Sequence, residues 1–147
     1  MYDYLKYIYL SNKYKANDLE WLYNNNIVLI INTTDEIPNF FENKFTYFNL
    51  NLKDEHKTIL YPFLDNIKNT LDGYINRECN VLIHSNFGKS RSVAILIYYI
   101  MEKEKCSLRK ALKIIGKIYG HSMGRSDHIN KSFLFQLNSI SPRSISY

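Results

Sequence analysis

The segment Val81-Leu82-Ile83-His84-Ser85-Asn86-Phe87-Gly88-Lys89-Ser90-Arg91-Ser92 concentrates the residues that could do chemistry. An apolar, β-prone run ends at His84, and a helix-forming run starts at Ser92. Successive backbone N–H groups in the loop between them can converge on one anion, and the positive end of the following helix dipole adds to the attraction. Gly88 opens backbone dihedrals closed to other residues. Arg91 supplies a planar fork that holds two oxygens of one anion. The chemistry indicated is capture of a phosphate-like dianion by Ser85, Asn86, Phe87, Gly88, Lys89, Ser90 and Arg91. A nucleotide P-loop is excluded, because that motif needs a glycine five residues before Gly88 and Ile83 stands there. His84 alone would read as a packed core histidine. Its occurrence with Gly88, Arg91 and Ser92 argues instead for a built anion site.

The surrounding pattern supplies the elements that hold this loop. Tyr7 to Leu10 reads as an edge strand, and Asn17 or Asp18 caps a short helix through Tyr23. Ile27 to Asn32 is a continuous apolar run, as in a strand covered on both faces. Phe45 to Leu50 is a further strand, and Val81 to Ile83 a third buried one. Thr58 to Ile75 has the period of a helix, with Ile59, Phe63, Ile67, Leu71 and Tyr74 on its apolar face and Pro62 in its first turn. The helix from Ser92 to about Lys103 is apolar on every side and reads as central. Ser107 caps a helix over 108–119 whose inward residues are Leu108, Leu112, Ile115 and Tyr119. The last helix runs from about Asn130 to Ile140, with Phe133, Leu134 and Leu137 inward. The alternation predicts an α/β domain, three-layer-like, with a central, largely parallel sheet flanked by helices. One domain over 1–140 and a frayed tail over 141–147 are expected.

Composition sets the outer limits. The 147 residues are 46% hydrophobic and 22% charged, which excludes wholesale disorder. Cys79 and Cys106 are too few for a disulfide scaffold or a zinc site of four cysteines, and neither a metal nor a cofactor is expected. The longest apolar run, Val93 to Met101, is about half of what a bilayer span needs. No signal peptide is expected, since Asp3 and Lys6 interrupt the first residues. The reading is a protein of the cell interior with no membrane partner. The net charge of +5 leaves nucleic acid, phosphorylated proteins and acidic partners open. Lys103, Lys105, Arg109, Lys110, Lys113 and Lys117 fall together, but with Glu102 and Glu104 among them they read first as a solvated helix face.

The loop resembles the signature of the cysteine-dependent protein phosphatases, His-Cys-five residues-Arg-Ser/Thr. Within them it is similar to the small dual-specificity phosphatases, whose loop often ends as Gly88-Lys89-Ser90-Arg91-Ser92 does. The resemblance extends along the chain: Ile8 to Ser11 to the opening strand, Ile27 to Thr33 to a strand ending Asn-x-Thr, and Tyr98 to Met101 to the end of the central helix. Asn130, Phe133, Gln136 and Leu137 match the closing Asn-x-x-Phe-x-x-Gln-Leu pattern. Tyr119 to Met123 resembles the poxvirus branch, which would place the protein in the cytoplasm of an infected cell or in a virion. The resemblance implies hydrolysis of phosphotyrosine, phosphoserine and phosphothreonine in proteins through a cysteinyl phosphate. It also implies a general acid on a loop about thirty residues before the nucleophile. Asp54, 31 positions before Ser85, matches, ahead of Glu55 and Asp65. Ser92 would then stabilise the nucleophile, and His84 and Asn130 would support the site. No long insertion is present to wall in the loop, so a shallow pocket open to all three phosphoamino acids is expected. Lys89 reads equally as a solvated lysine or as an attractor of a second phosphate.

Position 85 departs from that pattern, because serine stands where the family has its cysteine. A loop that depresses a thiol enough to ionise it cannot ionise a hydroxyl at pH 7, and a serine nucleophile needs an adjacent general base. This chain is therefore expected to hold phosphate and turn over little. Two origins fit: an engineered Cys→Ser change in an active phosphatase, which the retained Asp54 favours, or a natural pseudophosphatase that binds phosphorylated partners. An RNA 5′-phosphatase is a third and weaker reading, so nucleic acid is not the expected partner.

Overall fold

The computed structural model describes residues 2–140. In chain order the elements are β1 (Ile8–Ser11), α1 (Lys13–Ala16), α2 (Leu19–Asn24), β2 (Ile27–Thr34), β3 (Thr46–Leu52) and α3 (Tyr61–Asn76). They continue with β4 (Asn80–His84), α4 (Arg91–Glu104), α5 (Leu108–Tyr119) and α6 (Lys131–Ser139). Short 3-10 turns cover Asp3–Tyr7, His121–Gly124 and Ser126–His128. The four strands form one sheet in the order β1-β4-β2-β3, every neighbouring pair parallel. The expected α/β architecture with a largely parallel sheet is observed. The expected tail, 141–147, lies outside the described residues.

The apolar runs are continuous because both sheet faces are covered. On one face Leu29, Ile31, Val81 and Ile83 pack with α3, α4, α5 and α6. On the other Ile27, Ile30 and Leu82 pack with Ala16 of α1, Leu22 of α2 and the aromatic side chains Phe40, Phe41 and Phe45. Val28 breaks the pattern at 42% exposure, where the β2–β4 register shifts between Ile27 and Leu29. Helix α4 is buried without interruption from Arg91 to Met101, as its all-round apolar sequence implies.

Three details differ from the sequence reading. Helix α3 begins at Tyr61 and not at Thr58. Pro62 has no N–H to donate back to Thr58, so it is admitted only in the first turn. The Thr58 carbonyl instead accepts from Gln136 Nε2 at 2.9 Å, and Gln136 Oε1 accepts the Leu60 N–H at 2.8 Å. Ile59 is consequently outside the helix and exposed, and the buried stripe is Leu64, Ile67, Leu71 and Ile75. In α5 the fully buried positions are Ala111, Ile114 and Ile115, with Leu108, Leu112 and Tyr119 only partly covered. Helix α1, four residues capped by Asn12, went unread because one turn has no periodicity to detect.

The register places the loop. Ser11 of β1 and Asn32 of β2 both lie beside His84, so β1 and β4 end together and β2 runs on two residues further. In an open parallel sheet such a crevice at the carboxyl ends of the strands is where ligands bind.

Candidate functional site

Residues 85–90 link the end of β4 to the first turn of α4. Ser85 is 2% exposed. Its Oγ accepts the Gly88 N–H at 2.9 Å and lies 3.1 Å from Ser92 Oγ. The chain can turn back this tightly because Gly88 has φ +76° and lies directly on the backbone of Ser11 and Asn12. The loop is pinned to the same segment by Ser85 N–H to Ser11 O at 3.4 Å and by Lys13 N–H to Asn86 O at 3.1 Å.

His84 is buried, and burial pushes its imidazole below the usual histidine range, with the charge of Arg91 acting the same way. Its Nδ1 lies 3.3 Å from the Ser85 carbonyl oxygen, while the His84 carbonyl accepts from Thr33 Oγ at 2.9 Å. Among the described residues no carboxylate or imidazole is hydrogen-bonded to Ser85 Oγ, whose partners are Gly88 and Ser92.

Arg91, 5% exposed, is already gripped. Its NH1 and NH2 donate to Glu36 Oε1 and Oε2 at 2.7 and 2.6 Å, and NH1 also donates to Leu52 O at 2.8 Å. Of five guanidinium donors, three are thus taken, which leaves Nε–H and one NH2 hydrogen on a single edge. The end of the fork is filled by Glu36, so a two-oxygen grip on an anion falls to the side edge formed by Nε–H and the remaining NH2 hydrogen. The guanidinium bonds hold the Glu36 carboxyl down at about 2. Asn32 builds the turn that presents Glu36: its Nδ2 donates to Ile37 O at 2.7 Å and its Oδ1 accepts from Thr34 N–H at 3.0 Å. Glu36 was missed in the sequence, where the available signal was a pair of acids directly after a buried strand ending Asn-Thr-Thr.

Asp54 is exposed at the mouth of the loop. Its Oδ1 accepts from Ser90 Oγ at 3.2 Å and from Asn130 Nδ2 at 3.1 Å. Asn130 also donates its backbone N–H to Ser90 Oγ at 3.0 Å and its Nδ2 to Glu55 O at 2.9 Å. One asparagine, the N-cap of α6, thereby ties the segment after β3 to the loop. Together these residues enclose a cleft of about 340 Å³. Ser85, Asn86, Phe87, Lys89, Ser90, Arg91 and Asp54 line it, joined by Asn12, Tyr14 and His128, which sequence reasoning did not single out. Gly88, Ser92, His84 and Asn130 stand behind the lining, and the rival acids Glu55 and Asp65 do not reach it. Lys89 is exposed, and among the described residues it makes no hydrogen bond or ion pair. The same residues hold no cluster of three potential metal ligands, and no helix is long and apolar enough to cross a membrane.

Comparison with known proteins identifies the family and the fold. The sequence profile of the family described as "Dual specificity phosphatase, catalytic domain" matches residues 8–142. Human "Protein phosphatase Slingshot homolog 3" is 33% identical over 112 residues, 76% of this chain and 17% of that protein, so the chain spans about a sixth of this relative's length. The solved human "tyrosine phosphatase-like serine/threonine/tyrosine-interacting protein" superposes with a TM-score of 0.79 at 27% identity, covering 97% of this chain and 95% of that one. Human DUSP28 superposes with a TM-score of 0.81 at 19% identity, covering 95% and 90%, and shares the fold.

Proposed function

Since the chain belongs to the dual-specificity phosphatase family, we propose that its cleft takes phosphorylated tyrosine, serine and threonine side chains of proteins, and that Ser85 occupies the nucleophile's place. The observation that carries this is the position of Ser85 Oγ: over the Gly88 N–H, against the Ser92 hydroxyl and at the start of the buried helix α4. Those donors and the helix dipole suit an anionic nucleophile and a phosphoryl group. The loop amides from Asn86 to Arg91 and the free edge of Arg91 bind the phosphoryl oxygens. With cysteine at position 85 the thiolate attacks phosphorus, the phosphorus–oxygen ester bond breaks, and Asp54 gives its proton to the leaving oxygen. Water then attacks the phosphocysteine, Asp54 takes the water's proton, and the sulfur–phosphorus bond breaks to release phosphate. His84 and Asn130 position this machinery.

With serine the first step stalls. The hydroxyl stays neutral, and among the described residues no base touches it. The chain then holds phosphorylated protein without releasing phosphate, as a Cys→Ser form of an active phosphatase would. The Asp54 carboxylate, kept at the cleft mouth by Ser90 and Asn130, favours this origin, since a carboxylate only repels phosphate in a pure binder. A natural binder without catalysis is the second reading, supported by the likeness to the 27% identical human phosphatase-like interacting protein. The test is Ser85→Cys, assayed on an aryl phosphate. Turnover should rise by at least about a thousandfold, the scale of losing a catalytic nucleophile. A folded Ser85→Cys protein that stays inactive overturns the phosphatase assignment.

A further inference from the structure

We propose that the groove between α5 and residues 120–125 is a second anion site, which docks an acidic stretch of the phosphoprotein near its phosphorylated residue. This rests on the function proposed above. Arg109, Lys113 and Lys117 follow one another at four-residue spacing, so they form a single stripe of about 12 Å along α5. Like charges at this spacing destabilise a helix. Nothing in the fold compensates them, because none of the three makes a hydrogen bond or ion pair among the described residues. Exposed cations on a convex face would need no further account. These three border a concavity of about 680 Å³ with no carboxylate in its lining among the described residues.

The concavity is built by close backbone approach. A Cβ on Gly124 would lie 2.6 Å from Leu112 O and 2.8 Å from Gly116 N, so only glycine lets the 121–124 turn sit on α5. Gly116, Gly120 and Leu112 also line the concavity. Arg125 closes the far wall but is already neutralised by Asp127, at 3.0 and 2.7 Å. The α5 stripe therefore carries the free charge.

The groove and the phosphate cleft are neighbours along the chain. Arg125 borders one and His128 the other, joined by the single 3-10 turn Ser126–His128, which advances roughly 2 Å per residue. An extended peptide advances about 3.3 Å per residue. In this proposal a peptide with its phosphorylated residue at Ser85 runs past His128 and Arg125, so that residues a few positions away meet Arg109, Lys113 and Lys117. Acidic residues there would meet three uncompensated cations. Among the described residues no Phe, Tyr or Trp lines the groove, so they offer it none of the stacking platforms of single-stranded nucleic-acid sites.

The experiment uses the full 147-residue chain and fluorescence anisotropy. Two phosphotyrosine peptides differ only in a flank of Asp and Glu or of Asn and Gln. A third has the acidic flank without phosphate. The acidic phosphopeptide should bind roughly fivefold to fiftyfold tighter than the neutral one, the scale of three exposed ion pairs. That margin should shrink at high salt and vanish in Lys113→Glu/Lys117→Glu. Affinity for the neutral phosphopeptide and for inorganic phosphate should be unchanged. Lys113→Ala/Lys117→Ala is the gentler variant should charge reversal disturb the helix. Equal binding of both phosphopeptides by the parent, or equal weakening of both by the variant, overturns the proposal. So does a single-stranded RNA that displaces the acidic flank more effectively than the unphosphorylated acidic peptide. If neither inorganic phosphate nor the neutral phosphopeptide binds while the unphosphorylated acidic peptide still responds to Lys113 and Lys117, the phosphate assignment falls and the groove stands. If no peptide binds, both fall.

Discussion

Gly88→Ala tests the loop at its tightest point. Two costs add. An L-residue at φ +76° sits in the left-handed region, at roughly 1–2 kcal/mol. The new methyl would also lie 2.9 Å from Ser11 C, Ser11 O and Asn12 N, when ordinary contact begins near 3.4 Å. All three atoms are backbone, and Lys13 N–H to Asn86 O fastens the same stretch to the loop, so no flexible side chain can yield. Overpacking of this kind costs about 1–3 kcal/mol. The sum is about 2–5 kcal/mol, with the loop displaced by about half an ångström and the Gly88 N–H drawn off Ser85 Oγ. Gly73→Ala is the matched control. Gly73 lies inside α3 with nothing within 4 Å of its Cβ position, so the same methyl should stabilise by about 0.5–1 kcal/mol. Urea denaturation of both variants, with isothermal titration of phosphate into each, reads the contrast. Gly88→Ala should lose stability and at least about tenfold in phosphate affinity, a 1.4 kcal/mol effect, while Gly73→Ala keeps its affinity. If the two alanines shift stability in the same direction, or Gly88→Ala binds phosphate as the parent does, the account of the loop is wrong.

Other outcomes follow from the same contacts. Glu36→Ala leaves the buried Arg91 with Leu52 O and a distant Asp35 at 3.9 Å, and should lower stability by about 1–3 kcal/mol, less than a fully buried pair because the Glu36 side chain is 41% exposed. An unchanged urea midpoint would show that this pair contributes nothing. His84 titrates below its ordinary 6.5 in the fold, so the unfolded chain binds the extra proton first; stability is complete above about pH 6.5 and falls below it, by at most about 1.4 kcal/mol per pH unit. Glu36, held at about 2 against an ordinary 4.5, adds a second loss between those values. A denaturation midpoint that stays level from pH 8 to pH 5 contradicts the burial of His84.

The strands, the central helix and the loop that joins β4 to it were legible because each rests on local information: β-branched runs, all-round apolarity, and a glycine and an arginine at loop spacing. Asp54 became legible only through resemblance, since nothing local separates it from Glu55. Its hold on the cleft comes from Asn130, 76 positions away. Glu36 was out of reach for the same reason. It meets Arg91 across 55 positions, through a turn fixed by Asn32 and Thr34. Apolar period alone misplaces the start of α3, because it is blind to the missing N–H of Pro62. Asn12, Tyr14 and His128 carry no sequence signal, as they enter the cleft from other elements by packing alone.

The placement of β4 between β1 and β2 also has a kinetic side. Ser11 and His84 are neighbours in the sheet but 73 positions apart in the chain, and the loop is fastened to the Ser11–Asn12 backbone. Closing so long a segment delays the pairing, and parallel sheets built from distant strands fold slowly. The cleft cannot exist before the first strand has docked. An anion that binds the finished cleft should therefore leave the refolding rate unchanged and retard unfolding instead, so that phosphate acts as a brake on the loss of the fold and not as a template for its formation.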